Sequence, residues 1–165
     1  MVIFLPIMAI ASALTTLVGM FFGAKEIEKI KFIAKYGIIW SMMVTGVLSI
    51  ILYIFAPLVV KNFTLDVDIQ SIAVTYLRFI CLIYPLIAIG MTVGRILQGL
   101  GKGLPMLVIT SIRILALSAP LALYFIMVLN KPIEWVWYAM IISTIVSVAI
   151  SLIWLKSAFK DLVRD

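Results

Sequence analysis

The sequence predicts an all-α integral membrane protein, a single polytopic domain over residues 1–165 with five transmembrane helices. Hydrophobic residues make up 65% of the chain and charged residues only 12%, whereas about a quarter of the residues in a soluble domain are charged. Two long runs, residues 1–24 and 36–60, contain no charged side chain. Roughly 20 apolar residues in a helix cross a hydrocarbon layer about 30 Å thick, so each run is long enough to span a bilayer.

We place the predicted spans at residues 3–24, 36–60, 69–97, 104–130 and 134–156. The first lacks the basic start of a signal peptide and is too long for one, so we interpret it as a spanning helix. The third and fourth contain Pro85 and Pro120 near their middles. We expect neither helix to be straight, because proline removes a backbone hydrogen bond. The stretches between the spans are predicted to be short loops at 24–35, 61–68, 99–103 and 130–134.

The positive charges are distributed unequally between the two sides of the predicted membrane domain. Alternate loops face opposite sides, and only Lys61 and Lys131 fall on one of them. The other side holds Lys25, Lys29, Lys31, Lys35, Arg95, Lys102, Lys156, Lys160 and Arg164. The positive-inside rule predicts that this basic side is cytoplasmic, with the N-terminus outside and the C-terminus inside. The net charge of +6 is therefore assigned to orientation, and no nucleic-acid partner is predicted.

Aromatic residues gather at the predicted ends of the spans. Trp135, Trp137 and Tyr138 lie where the last span enters from the outside. This placement is typical of rings that anchor a helix at the membrane interface.

Two arginines, Arg78 and Arg113, lie inside predicted spans, each seven residues before a mid-span proline. All seven acidic residues fall in predicted loops or in the C-terminal tail, so no predicted span offers a carboxylate partner. Two interpretations stay open: Arg78 snorkels outward and Arg113 inward, or their partners lie outside this chain. We expect Arg113 to face protein and to be hydrogen-bonded by carbonyls or polar groups that belong to adjacent spans or to helices outside this chain.

Small residues recur at helical spacing along four of the spans. In lipid, helices associate through close packing and interhelical hydrogen bonds, so we interpret these rows as packing seams rather than ligand-lining faces. The rows are Ser12, Thr16, Gly19 and Gly23; Ser41, Thr45 and Ser49; Gly90 and Gly94; and Ala139, Ser143, Ser147 and Ser151.

Several kinds of site are disfavoured by the residues available. The chain has no histidine and a single cysteine, Cys81, so neither a disulfide framework nor a metal cluster is predicted. The spans lack clustered acids or a nucleophile with its base, which disfavours a membrane enzyme. The run QGLGKG (98–103) superficially resembles a phosphate loop, but no strand precedes it and no Lys-Ser/Thr pair follows. We predict a tight turn between helices there.

Four stretches together resemble one family of membrane proteins. They are ALTTLVGMFFGAKE (13–26), TYLRFICLIYP (75–85), ILQGLGKGLPM (96–106) and SIRILALSAP (111–120). In order and spacing they are similar to the MATE family, the multidrug and toxic compound extrusion antiporters, over residues 11–156. The resemblance implies a fold of twelve helices in two six-helix bundles, of which this chain is similar to the last five helices. It therefore implies the C-terminal portion, or a fragment, of a larger transporter.

The resemblance also implies sodium- or proton-coupled export of organic or cationic compounds, without a cofactor. Many family members couple through intramembrane carboxylates, some of them in the helix that corresponds to span 69–97, where this chain has none. Any coupling-ion site is therefore predicted to lie outside this chain. The residues that we consider for a transport pathway or gate are Thr16, Tyr76, Arg78, Tyr84, Pro85, Arg113 and Pro120.

The predicted partners are the lipid bilayer of the cell membrane, a small-molecule substrate, and the remaining helices or a partner chain. Two alternatives stay open at this point. One is a lipid-linked oligosaccharide flippase of the same superfamily, which shares the helix plan. The other is a membrane scaffold subunit that transports nothing.

Overall fold

The computed structural model describes residues 4–64, 66–128 and 134–164, and the regular structure in these ranges is helical. The first three helices are α1 (Phe4–Gly23), α2 (Ile27–Lys61) and α3 (Val67–Gly99). The last is α6 (Glu134–Arg164). Within these ranges, five helical segments are long and apolar enough to cross a membrane: Leu5–Gly23, Ile27–Lys61, Val67–Gly99, Leu104–Val128 and Trp135–Leu162. The predicted all-α membrane fold with five spans is confirmed.

The fourth span is not a regular α-helix. It begins as α4 (Leu104–Ser111), continues as a π-helical segment (Ile112–Ser118), returns to α-helix in α5 (Ala119–Leu123) and ends as a second π-helical segment (Tyr124–Val128). In a π-helix the backbone hydrogen bonds join residues five apart rather than four. Pro120 lies in the short α5 between the two π-helical segments. The expected departure from a regular helix is therefore present in this span.

The prediction that residues 24–35 form a loop was wrong, because α2 already begins at Ile27. Likewise, α6 continues past residue 156 to Arg164. Charged residues ended the apolar runs without ending the helices, since Lys and Glu are good helix formers. Ion pairs at helical spacing join Lys31 to Glu28 at 3.0 Å and Lys29 to Glu26 at 2.5 Å. The predicted loop 130–134 lies outside the described residues, apart from the start of α6.

The glycine-rich stretch after α3 is a helix-terminating turn, as predicted. Gly101 adopts a left-handed conformation with φ of 76°. The backbone N–H of Lys102 donates to the carbonyl of Leu97 at 2.9 Å, and that of Gly101 donates to the carbonyl of Gln98 at 2.9 Å. This pair of bonds is the Schellman arrangement that satisfies the last carbonyls of a helix.

Helix α3 occupies the centre of the packing and contacts α1, α2, α4 and α6. Buried apolar residues from the end of α1, the start of α2, the end of α3 and the end of α6 form one cluster, which includes Val18, Ile30, Leu97 and Leu155. In addition, Lys102 Nζ lies 3.1 Å from Asp161 Oδ2 and joins the α3–α4 turn to α6. The connections that the sequence assigned to the basic side therefore meet at one end of the bundle.

Aromatic rings gather near the start of α6. Trp137 packs against Phe79 with ring centroids 5.3 Å apart and against Tyr76 at 5.9 Å. Trp135 packs against Phe125 at 5.4 Å and Tyr138 at 5.7 Å. These contacts tie α3 and the end of the fourth span to the beginning of α6.

Candidate functional site

Two of the predicted packing seams are present. Ser41, Thr45 and Ser49 are all buried on α2, and the Ser41 hydroxyl accepts a hydrogen bond from Thr92 Oγ1 on α3 at 2.9 Å. On α6 the buried row is Ala139, Ser143, Ser147 and Ser151. Small hydroxylated residues thus let α2 and α6 approach their neighbours closely.

The seam predicted on α1 was wrong for three of its four residues. The fourth, Gly19, is half-buried against α3, where an added Cβ would lie 3.6 Å from the Gly99 carbonyl oxygen. Ser12, Thr16 and Gly23 are exposed, and the buried face of α1 instead carries apolar residues, which are Ile7, Ala11, Leu14 and Val18. The closest approach at this contact is made by a small residue of α3, Gly99. A Cβ atom placed on Gly99 would lie 2.7 Å from the carbonyl oxygen of Thr15 and 2.9 Å from Val18 Cβ. The close approach of α1 and α3 therefore depends on Gly99.

A cavity of about 310 Å³ lies between α3, the fourth span and α6. Its polar lining comes from Thr110 and Arg113 in the fourth span and from Thr144 and Ser147 in α6. The rest of the lining is mainly apolar and includes Leu86, Ile87, Met91, Ile109 and Val148. Gly90 and Gly94 also line the cavity, and because they have no side chain they leave its space open. The cavity is therefore an apolar space with one charged side chain on its wall.

Arg113 lies at the start of the first π-helical segment, partly buried, with its side chain on the cavity wall. The expectation that it faces protein is confirmed. In the described part of the chain Arg113 has neither a hydrogen-bond partner nor an ion pair, so the adjacent spans do not supply the expected bonds. Partners outside this chain stay a prediction. The nearby hydroxyls bond within their own helices: Thr110 Oγ1 donates to the Met106 carbonyl at 2.8 Å, and Thr144 Oγ1 to that of Met140 at 2.7 Å.

Arg78 has a different environment. Its guanidinium lies over the ring of Tyr53 on α2, 5.1 Å from the ring centroid. This is a cation–π contact, which stabilises the charge without a carboxylate. Tyr53 was not predicted as a partner of Arg78, because the search for a partner was limited to carboxylates.

A second concave surface, of about 360 Å³, lies between α2 and α3. Pro85, Cys81 and Ser49 contribute to it. Pro85 has no N–H to donate to the carbonyl of Cys81 four residues earlier. The Ser49 hydroxyl is buried without a hydrogen-bond partner among the described residues. Tyr84 is partly buried beside Ile7 and Ala88, where α1 meets α3.

The seven residues considered for a pathway or gate do not converge on one site. Arg113 lines the cavity, and Pro85 lines the α2–α3 groove. Thr16 is exposed and donates to the Ser12 carbonyl at 3.4 Å. Pro120 is also exposed. Tyr76 packs against Trp137, as described above. The roles of these residues in transport stay predictions.

Two residues of the cavity wall, Thr110 and Thr144, were not predicted from the sequence. Thr110 precedes Arg113 by three residues, and Thr144 precedes Ser147 by three. Residues three apart share a helix face, so each pair carried a signal. What the spacing could not show is that these two faces meet across one cavity. Among the described residues, no group of three or more acids or cysteines could hold a metal ion.

Comparison with known proteins identifies the family. The family model MatE matches residues 1–124. The chain belongs to the MatE family. A curated relative, the "Probable multidrug resistance protein NorM" of Thermotoga maritima, is 29% identical over 154 residues, which cover 93% of this chain and 33% of the relative.

Two solved MATE structures have the same fold. An inward-facing multidrug resistance MATE transporter of the MOP superfamily matches with a TM-score of 0.92 at 24% identity, over 99% of this chain and 38% of its own. An outward-facing transporter of the same description matches with a TM-score of 0.88 at 25% identity, over 96% of this chain and 35% of its own. The chain thus spans about a third of the length of these MatE relatives, and it is a multi-pass membrane protein.

Proposed function

We propose that the chain is the C-terminal, five-helix part of a MATE-type secondary transporter in the cell membrane. In this proposal the complete transporter exports organic compounds in exchange for sodium ions or protons. The observation that carries the proposal is the cavity between α3, the fourth span and α6, because transporters place their substrate sites between helices near the middle of the bilayer. Family membership supports it.

The likeness to both an inward-facing and an outward-facing transporter bears on mechanism. The inward-facing and the outward-facing structures match the arrangement of these five helices with similar TM-scores, 0.92 and 0.88. This supports a unit that keeps its internal packing while it turns relative to the rest of the transporter, as in alternating access by rigid-body rocking. Access to the cavity would then alternate between the two sides of the membrane while α3 and α6 keep their packing.

The coupling ion binds elsewhere in this proposal. A cation-coupled antiporter needs a group that binds the ion in one state and releases it in the other. The described walls of the cavity carry a guanidinium and no carboxylate, so they do not fit a sodium ion or a transported proton. We place the coupling site in the part of the transporter that this chain does not contain.

Transport assays test the proposal directly. We expect the purified chain, reconstituted alone in liposomes, to show no sodium- or proton-driven export of a fluorescent dye. We expect a larger product of its locus, with seven further helices, to export the dye when a gradient is imposed. Gradient-driven export by the chain alone would contradict the proposal that the coupling-ion site lies outside this chain. A larger product that transports nothing would favour the scaffold alternative.

The orientation of the helices gives a separate prediction. In a Cys81→Ser background, Lys29→Cys and Lys102→Cys are expected to be cytoplasmic, and cysteines at residues 66 and 131 external. Phe63→Cys provides a further external site, because Phe63 is 86% exposed whereas the Asp66 carboxylate caps α3. An impermeant thiol reagent added to intact cells should label only the external positions. Labelling of Lys29→Cys with protection of Phe63→Cys would mean that the orientation is reversed.

A further inference from the structure

We propose that the cavity around Arg113 binds a small amphipathic organic anion. Its acid group would contact the guanidinium, and its compact apolar body would lie against the surrounding side chains. The inference rests on the proposed function only in making this ligand a transported substrate. Binding itself can be measured without transport, so the two proposals can fail separately.

The sign of the ligand follows from the charges around the cavity. Arg113 is the one charged side chain on its described walls. The acids with described side chains lie at helix ends or in connections, far along the chain from this wall: Glu26, Glu28, Asp66, Asp68 and Asp161. A cation in an apolar environment without a partner is costly. An anionic group can recover this cost through two parallel hydrogen bonds to the guanidinium. A cationic ligand would meet repulsion and no carboxylate.

The volume and the apolar lining of the cavity determine the size and polarity of the ligand body that it can hold. Small-molecule sites usually measure about 300–1,000 Å³, so a volume of about 310 Å³ is at the lower end. It suits a one- or two-ring body and not a lipid with two acyl chains. Leu86, Met91, Ile109 and Val148 offer apolar walls. A Cβ on Gly90 would lie 3.8 Å from Val148 Cγ2, in ordinary contact, so this glycine keeps the space open.

A pair of probes with the same body and opposite charge tests the proposal. The purified chain in phosphatidylcholine nanodiscs would be titrated with 1-naphthoate and with 1-naphthylmethylammonium, and binding measured by equilibrium dialysis. We expect saturable binding of naphthoate and none of the ammonium. Arg113→Met should weaken naphthoate binding about 10- to 100-fold, the effect of losing a charged hydrogen-bond partner. Lys156→Met removes a positive charge from an exposed site on α6 that does not line the cavity, and it should leave binding unchanged.

Further variants keep the test valid if Arg113→Met does not fold. Arg113→Lys retains the charge and should keep part of the affinity. Gly90→Leu leaves Arg113 in place but fills the cavity, and it should abolish binding. Dodecanoate distinguishes a membrane fatty acid from a compact solute, and we expect it not to compete with naphthoate. Equal naphthoate binding by Arg113→Met or Gly90→Leu, preference for the ammonium, or displacement by dodecanoate would each overturn the proposal.

Discussion

Gly99→Ala is expected to destabilise the chain by about 1–3 kcal/mol, the usual effect of overpacking a close contact. The added methyl group would lie 2.7 Å from the Thr15 carbonyl oxygen and 2.9 Å from Val18 Cβ. Neither atom can rotate away, because one belongs to the backbone of α1 and the other is attached directly to it. The Thr15 hydroxyl also bonds the Arg95 carbonyl at 3.2 Å, so moving α1 outward would break a second contact. Thermal unfolding of the purified chain in detergent measures the effect.

Two other helical glycines provide matched controls for Gly99. A Cβ on Gly46 in α2 meets nothing within 4 Å, so Gly46→Ala should stabilise the chain by about 0.5–1 kcal/mol through helix propensity. At Gly37 the three atoms nearest to the added Cβ all belong to the side chain of Leu14, with its two Cδ atoms at 2.5 Å, and this flexible group can turn aside. We expect Gly46→Ala to be the most stable of the three variants, Gly37→Ala to be intermediate and Gly99→Ala to be the least stable. Equal melting temperatures for Gly46→Ala and Gly99→Ala would mean that the α1–α3 contact is not close packed.

Arg113→Met is expected to stabilise the ligand-free chain by about 1–3 kcal/mol, since it replaces an unpaired charge with an apolar side chain of similar length. The guanidinium has no bonding partner among the described residues, so the substitution leaves no described group unsatisfied. Thermal unfolding in detergent without added anions measures the difference. Lys156→Met removes a charge from an exposed site at the end of α6 and should change stability by no more than about 0.5 kcal/mol.

The opposite result for Arg113→Met has a definite meaning. A polar network around Arg113, as the sequence analysis expected, would lose its donor, and the melting temperature would fall. Addition of naphthoate gives an internal check. It should raise the melting temperature of the original chain and not that of the variant, because a ligand stabilises only the state that binds it. A residue that costs stability but gains a ligand is an instance of the trade-off between stability and function.

The number and order of the spans could be predicted because uncharged runs report membrane length directly. The start of α2 could not, since the charges at Lys29 and Lys31 mark where a helix leaves the apolar layer and not where it begins. Gly99 was predicted to form part of a turn. The turn is made by Gly101 instead, and Gly99 is the residue that allows α1 to pack closely against α3. The cavity was not predictable, because the meeting of Thr110 and Thr144 depends on how two helices are rotated against each other.

The two π-helical segments of the fourth span have a consequence for its motion. Each π turn holds an additional residue relative to an α turn, and one residue corresponds to about 100° of rotation around a helix axis. If that additional residue is passed from one side of Arg113 to the other, the guanidinium swings away from α3 and α6 while the span stays continuous. The fourth span therefore contains the additional residue that a local register shift needs, and such a shift would move the guanidinium away from the cavity and weaken its hold on a bound anion.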